Sequence, residues 1–313
     1  MPLALTDQFQ PKYESEWNRL AQQPTSRLAK AVSQRNGCQG DIVYRDQIRP
    51  IEAISLGAPT ANRLQATPTS EIETEIRANI PEKFHIVKQF DEFDKAFLKA
   101  QSLPTSQVFM EMKGGFGRKI DDLIIAAATG TAKTGVGGAT NTVLPAGSKL
   151  LIDVGAGVNP TASMNLEKVL GVVELLSKNE AFGQDVEEGG EEGYLVLGAA
   201  ELKQLYLEAR DLSHEFMDDI IDVYKGRVQH LLGLNVIRSE RLANATNVTT
   251  CFGFVRSGIA LDIWADPSFK LSIRDDLNEA LQMRGKQAAA ATRLEEVKVV
   301  EVPCADNKDY KGD

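Results

Sequence analysis

The sequence predicts an α+β fold of two or three lobes, and three observations carry that prediction. Strand-type and helix-type segments are mixed without regular βαβ alternation. At 313 residues, 42% of them hydrophobic, the chain can bury a sizeable core. The most informative stretch, residues 71–90, alternates apolar and charged positions along its whole length.

Taken in order, residues 1–23 predict a short amphipathic helix, with Leu5, Phe9, Tyr13, Trp17 and Leu20 spaced three and four apart and Pro24 ending it. Residues 25–40 read as a polar, partly basic arm. A strand-type run at 41–54 places Ile42, Tyr44, Ile48 and Ile54 on one face, and a connection at 55–70 holds Gly57, Pro59, Asn62 and Pro68. In 71–90, Ile72, Thr74, Ile76, Ala78, Ile80, Phe84, Ile86 and Phe90 occupy even positions, broken by Glu82 and Lys88. Glu71, Glu73, Glu75, Arg77, Lys83 and His85 occupy odd ones. Such alternation far exceeds the ordinary strand of about five or six residues. The two runs read as one long two-stranded ribbon, which is marginal alone in water and needs a surface to lie on. The support expected is a neighbouring copy of the chain, so the ribbon points to an assembly protein rather than a self-contained enzyme.

Beyond the ribbon, Phe93, Phe97 and Leu98 mark a short helix before Pro104. A longer helix is predicted over 105–129, with the stripe Phe109, Met112, Phe116, Ile120, Leu123 and Ala127. Gly114, Gly115 and Gly117 fall within it, each costing about 1 kcal/mol relative to alanine. Three glycines so close suggest a bend or hinge. Residues 130–147 read as a flexible Gly/Thr/Ala-rich loop, 150–154 as a strand, and 164–177 as a helix with Leu166, Val169, Leu170, Val173 and Leu176 on its apolar side. The loop at 183–193 is acidic. A strand at 194–197 precedes helices at 199–210 and 212–223. Further strands are expected at 234–237, 250–264, 269–274 and 294–302, followed by a frayed polar tail at 307–313.

Composition and motif searches exclude more than they assign. A net charge of -9 and a pI near 5.1, with no basic stripe, argue against nucleic-acid binding as the main task. No apolar run reaches the ~18 residues of a membrane span, and the polar opening lacks a signal peptide's basic region. Cys38, Cys251 and Cys304 are widely separated and read as reduced thiols of a cytoplasmic product. Gly130 and Gly135 have the gap of a phosphate loop, but Val136 stands where its lysine belongs. Gly155 and Gly157 could open a dinucleotide fingerprint, but Pro160 replaces its third glycine. His85, His214 and His230 form no two-histidine metal pattern, and His214 with Glu215, Asp218 and Asp219 reads as a solvated helix face. Asp121 and Asp122 point about 100° apart on a helix, which disfavours a shared metal. No cofactor, metal or catalytic set is expected.

Six short segments carry a family resemblance. They are Gln10-Pro11-Lys12-Tyr13 with Leu20-Ala21-Gln22-Gln23 and Ser26-Arg27-Leu28; the more specific Gly117-Arg118-Lys119-Ile120-Asp121-Asp122-Leu123-Ile124; Cys251-Phe252-Gly253-Phe254; and Glu301-Val302-Pro303-Cys304. With the order of arm, ribbon, long helix and mixed body, the chain resembles the major capsid proteins of tailed bacteriophages. These have the Hong Kong 97-like fold, and the likeness is to the phage capsid-like family of short-tailed phages.

The resemblance implies an N-terminal arm at 1–38 and an extended loop at 39–90 that lies across a neighbouring subunit. It implies a peripheral domain at 91–154 and 251–313 with the 105–129 helix as its spine, and an axial domain at 155–250 around five-fold and six-fold axes. The implied protein is a structural subunit, not an enzyme, assembling with itself as pentamers and hexamers into an icosahedral head shell around packaged double-stranded DNA. It would be assembled in the host cytoplasm and reside in the virion. A separate scaffolding protein is expected, since the ribbon starts near residue 40, together with a portal and, as a further candidate, a decoration protein. Arg45, Arg49, Glu71, Glu73, Glu75, Arg77 and Lys83 are the candidate inter-subunit contacts, each exposed pair being worth about 0.2–1 kcal/mol. Gly114, Gly115 and Gly117 would hinge the spine during shell expansion. The alternatives are an encapsulin-like nanocompartment shell and a small-molecule enzyme using the 130–147 loop.

Overall fold

The computed structural model describes residues 20–49, 51, 53, 71–91, 105–155, 161–182, 191–212, 230–277 and 279–306. From the N-terminus, a 3-10 turn at Ala29–Ala31 leads into β1 (Ser33–Asn36). Next come β2 (Val43–Ile48), β3 (Thr74–Asn79), β4 (Glu82–Phe90) and the long helix α1 (Thr105–Thr129). A small hairpin, β5 (Ala132–Thr134) and β6 (Thr140–Thr142), precedes α2 (Leu166–Lys178), β7 (Gly193–Leu197) and α3 (Ala199–Leu212). The remaining strands, joined in places by 3-10 turns, are β8 (His230–Leu231), β9 (Leu234–Arg238), β10 (Asn244–Ala245), β11 (Val248–Val255), β12 (Ile259–Arg274), β13 (Ala280–Arg293) and β14 (Val299–Ala305).

These strands form three sheets in the orders β1-β12-β13-β4, β10-β11-β7-β9-β8 with β14 on β11, and β2-β3-β5-β6. The first is built on the β12–β13 hairpin, with β4 antiparallel to β13 and β1 parallel to β12. The spine helix α1 lies across it. Phe116 sits between Phe84 of β4 and Phe269 of β12, each ring centroid 5.8 Å away. Gly285 of β13 leaves the room for that ring, since a Cβ there would stand 2.7 Å from Phe116 Cε2. The second sheet carries α2 and α3. Asn165 caps α2 by accepting from the Lys168 amide at 2.8 Å. Val169, Val172, Leu176, Leu202 and Leu205 pack on Leu195, Leu197, Val300 and Val302. All of β7 is buried, as befits a central strand covered on both faces.

The structure departs from the sequence expectations in identifiable places. The long alternating strand is two strands, because Pro81 cannot donate to a ladder. β3 stays in the ribbon with β2, whereas β4 pairs with β13. The expected strand at 250–264 is broken at Arg256–Gly258, and its first half belongs to the six-stranded sheet. The boundary expected between residues 250 and 251 therefore falls inside β11, and both β11 and β14 lie in the sheet of the expected axial part. β13 was not expected at all. In place of a strand at 150–154, a single bridge joins Lys149 to Glu301 and residues 152–155 form a turn. The 130–147 loop contains the β5–β6 hairpin, tied to the ribbon at the Arg77–Thr134 pair. Residues 20–23 are not helical. The rest of the 1–23 helix, the 55–70 connection, the Phe93–Leu98 helix, most of the acidic loop, the 212–223 helix beyond 212 and the tail lie outside the described residues.

The seat of Phe116 yields a quantitative expectation. Gly285→Ala should destabilise the unassembled chain by about 1–3 kcal/mol through overpacking. The cost should shrink in a Phe116→Leu background, a coupling that urea denaturation of the four chains measures.

Candidate subunit interface

The β2–β3 register sets Tyr44 opposite Ala78, Asp46 opposite Ile76 and Ile48 opposite Thr74 on one face. The other face carries Val43 with Asn79, Arg45 with Arg77, and Gln47 with Glu75. Directly opposed residues share a face in an antiparallel pair, so the ribbon has a mainly apolar side, with Asp46 its one charge in the ladder, and a mainly charged side.

The charged side faces the protein's own body. Asp262 of β12, fully buried, accepts from Arg45 Nη2 at 2.5 Å and from Asn79 Nδ2 at 2.9 Å. One carboxylate thus holds both strands of the ribbon. Asn79 also donates to the Ala290 carbonyl at 3.2 Å. Arg77, only 2% exposed, reaches Glu296 at 2.7 Å and Thr134 Oγ1 at 3.1 Å. Glu296 stands between Arg77 and a second buried guanidinium, Arg293, whose Nε is 3.7 Å from it. Arg293 donates to the carbonyls of Ala128 at 2.9 Å, Gly130 at 2.8 Å and Thr142 at 3.2 Å. It thereby satisfies carbonyls left over at the C-terminal end of α1, where a positive charge also suits the helix dipole. Burial pulls the Arg293 guanidinium below its ordinary pKa, with Glu296 opposing and Arg77 reinforcing the shift.

The apolar side is covered only at its base. There the 136–138 turn lies over Ala78, and Gly137 donates its amide to Tyr44 Oη at 2.9 Å. Further out, Ile48 is 68% exposed and Ile72 67%, while Tyr44 and Ile80 at the base stay partly open. Of the seven expected contact residues, Arg45 and Arg77 are therefore held inside the subunit. Arg49 bonds Glu73 at 2.8 Å and Glu75 at 2.7 Å across the ribbon. Glu71 and Lys83 are exposed. Glu82, next to Lys83, pairs with Lys119 of α1 at 2.8 Å.

Sequence reasoning passed over Asp262, Arg293 and Glu296. The first had a signal, as a lone carboxylate inside the apolar run Ile259-Ala260-Leu261-Asp262-Ile263. Gly114, Gly115 and Gly117 lie within an unbroken α1. Asp121 and Asp122 share no site. The first is turned to the N-terminal arm and the second pairs with Arg241 through two bonds of 2.5 Å.

A spine helix across a hairpin-based sheet, a second sheet flanked by helices and a projecting ribbon together define a Hong Kong 97-like capsid subunit. The family model described as phage capsid protein matches residues 5–306, so the chain belongs to that family and is a structural capsid protein. No curated protein matches it. Among solved structures, the capsid of Ralstonia phage GP4 superposes with a TM-score of 0.66 at 9% identity, covering 95% of each chain. The capsid of Cyanophage Pam1 gives 0.65 at 11% identity, covering 98% of this chain and 99% of that one. A chain of Mycobacterium phage Che8 gives 0.64 at 13% identity, covering 95% and 97%. The encapsulin-like and enzyme alternatives are not favoured by these matches.

Because Asp262 neutralises and orients the ribbon base, Asp262→Ala should cost about 3–5 kcal/mol, the toll of leaving a buried charge unpaired. Arg49→Ala should leave the urea midpoint of the unassembled chain unchanged, its ion pairs being exposed.

Proposed function

We propose that copies of this chain lay their β2–β3 ribbons across one another and close into an icosahedral head shell of pentamers and hexamers around packaged double-stranded DNA. The observation that carries this reading is the exposed apolar face of the ribbon. With the base of its charged side already bonded to its own subunit, the ribbon offers Ile48 and Ile72 as the apolar surface of a contact, beside the exposed Asp46. Burying an isoleucine side chain fully is worth about 1.5–3 kcal/mol. Repetition over every subunit gives a stable shell from contacts that are individually weak enough to correct.

In this reading Arg49, Glu71, Glu73, Glu75 and Lys83 form the polar rim of the contact and set its register against the neighbour. Arg45 and Arg77 act one step back, by fixing the angle at which the ribbon leaves the body. The six-stranded sheet with α2 and α3 is the axial unit, and α1 with the β12–β13 sheet is the peripheral one. A separate scaffolding protein guides closure, a portal occupies one vertex, and a decoration protein is a further candidate partner. A subunit of net charge -9 repels DNA rather than binding it, which suits a container filled by a motor. The chain acts without catalysis, as a virion component assembled in the host cytoplasm.

Electron microscopy of the chain expressed with its scaffolding protein tests this. Wild-type protein should give uniform shells, and the double variant Ile48→Glu, Ile72→Glu should give folded, unassembled subunits. Shells formed undiminished by the double variant would contradict the ribbon contact.

A further inference from the structure

We infer that one face of the spine helix, formed by Gly114, Gly117, Arg118 and Asp121, is a receptor groove for the extended arm segment Gln23–Leu28 of the same chain. These four positions are spaced i, i+3, i+4 and i+7, so they line up along one side of α1. The arm follows them in the same direction. A Cβ on Gly114 would stand 3.3 Å from the Pro24 carbonyl oxygen, and one on Gly117 would stand 2.6 Å from the Ser26 amide nitrogen and 3.0 Å from the Thr25 carbonyl carbon. Arg118 Nη1 donates to the Gln23 carbonyl at 2.9 Å. Asp121, fully buried, closes the groove. Its carboxylate accepts from Ser26 Oγ at 2.5 Å, from the Arg27 amide at 3.1 Å, from the Leu28 amide at 3.2 Å and from Gln23 Nε2.

The recognition is of an extended backbone with a short polar side chain at its centre. Two glycines admit the main chain, a guanidinium takes one carbonyl, and a carboxylate takes two successive amides and the serine hydroxyl. Ser26 Oγ in turn accepts from the Ala29 amide at 3.0 Å, starting the 3-10 turn. That turn drives Leu28, Ala31 and Val32 into the core beside Ile120 and Ile124. Outside the groove, Pro24, Thr25 and Arg27 stay exposed. Gln22 continues the track by bonding Glu111, one turn earlier on α1. Arg27 Nη1 adds a bond to the Arg238 carbonyl at 2.7 Å, so the arm is clasped between α1 and the end of β9 and is anchored in the core by Leu28.

This assigns Gly114 and Gly117 to close approach, where the sequence suggested bending. Gly115 faces another element, since its Cβ would stand 2.9 Å from Ile86 Cδ1 of β4.

Trypsin cleavage after Arg27 in the full-length unassembled chain, followed by mass spectrometry, tests the clasp. Cleavage of a docked segment follows the population of its open form. Asp121→Asn replaces half of an acceptor by a donor facing donors, and Gly117→Ala pushes a methyl group into the arm backbone. Both should speed cleavage by about tenfold or more, whereas Gly147→Ala, whose added Cβ would meet nothing within 4 Å, should stay near wild type. Ser26→Ala with Gln23→Ala removes two of the donors from the arm side and leaves α1 untouched, so it reads the clasp even where a helix variant fails to fold; it should also speed cleavage. Wild-type cleavage as fast as that of a free 20–32 peptide, or equal protection in the folded Asp121→Asn and arm-side variants, would overturn the groove.

Discussion

Asp262 lies in an otherwise apolar strand and is fully buried, so its charge must be matched inside the subunit. The match comes from Arg45 on one ribbon strand and Asn79 on the other. Both residues lie on the same face of the pair, and that face must therefore turn inward. Side chains in a strand alternate strictly, so fixing one face inward fixes the other outward. The exposed isoleucines follow from the buried carboxylate. A single polar interaction at the root thus determines what surface the ribbon presents far from it.

The spine helix is held by the same kind of chemistry. Between residues 118 and 122, successive side chains project about 100° apart and meet different elements. Lys119 pairs with Glu82 on β4, Asp121 receives the arm, and Asp122 pairs with Arg241 after β9. At the end of the helix, Arg293 from β13 binds the last carbonyls, while Phe116 fixes the helix to the sheet below. The segment of sequence most specific to the family is the one where several parts of the fold converge on one helical turn. Apolar packing supplies the bulk of the stability, and these polar contacts choose the arrangement.

The period-two and helical periodicities were legible in the sequence, and α1 runs over the residues they indicate. Other features depended on partners that no local pattern reveals. The even-position apolar residues resume in phase at Phe84 after Pro81 and Glu82, so the switch of β4 into a different sheet leaves the hydrophobic pattern reading as one strand. β13 contains Ala288-Ala289-Ala290-Ala291, a run with helical propensity, yet it is a strand because β12 and β4 flank it. The two faces of the ribbon were legible, but which one meets the body was not, because that choice rests on Asp262 more than 180 residues away. Arg45 and Arg77 look like surface charges for the same reason. The three glycines were visible as an anomaly in a helix, while the meaning of two of them required the arm to be seen lying against them.

The most direct test is an electron cryomicroscopy map of the assembled shell at side-chain resolution. Ile48, Ile72 and Ile80 should be buried against a neighbouring subunit while Arg45 and Asn79 keep their bonds to Asp262 within their own. A shell in which the isoleucines face solvent and the charged face of the ribbon lies on the neighbour would contradict the inward turn on which the assembly surface depends.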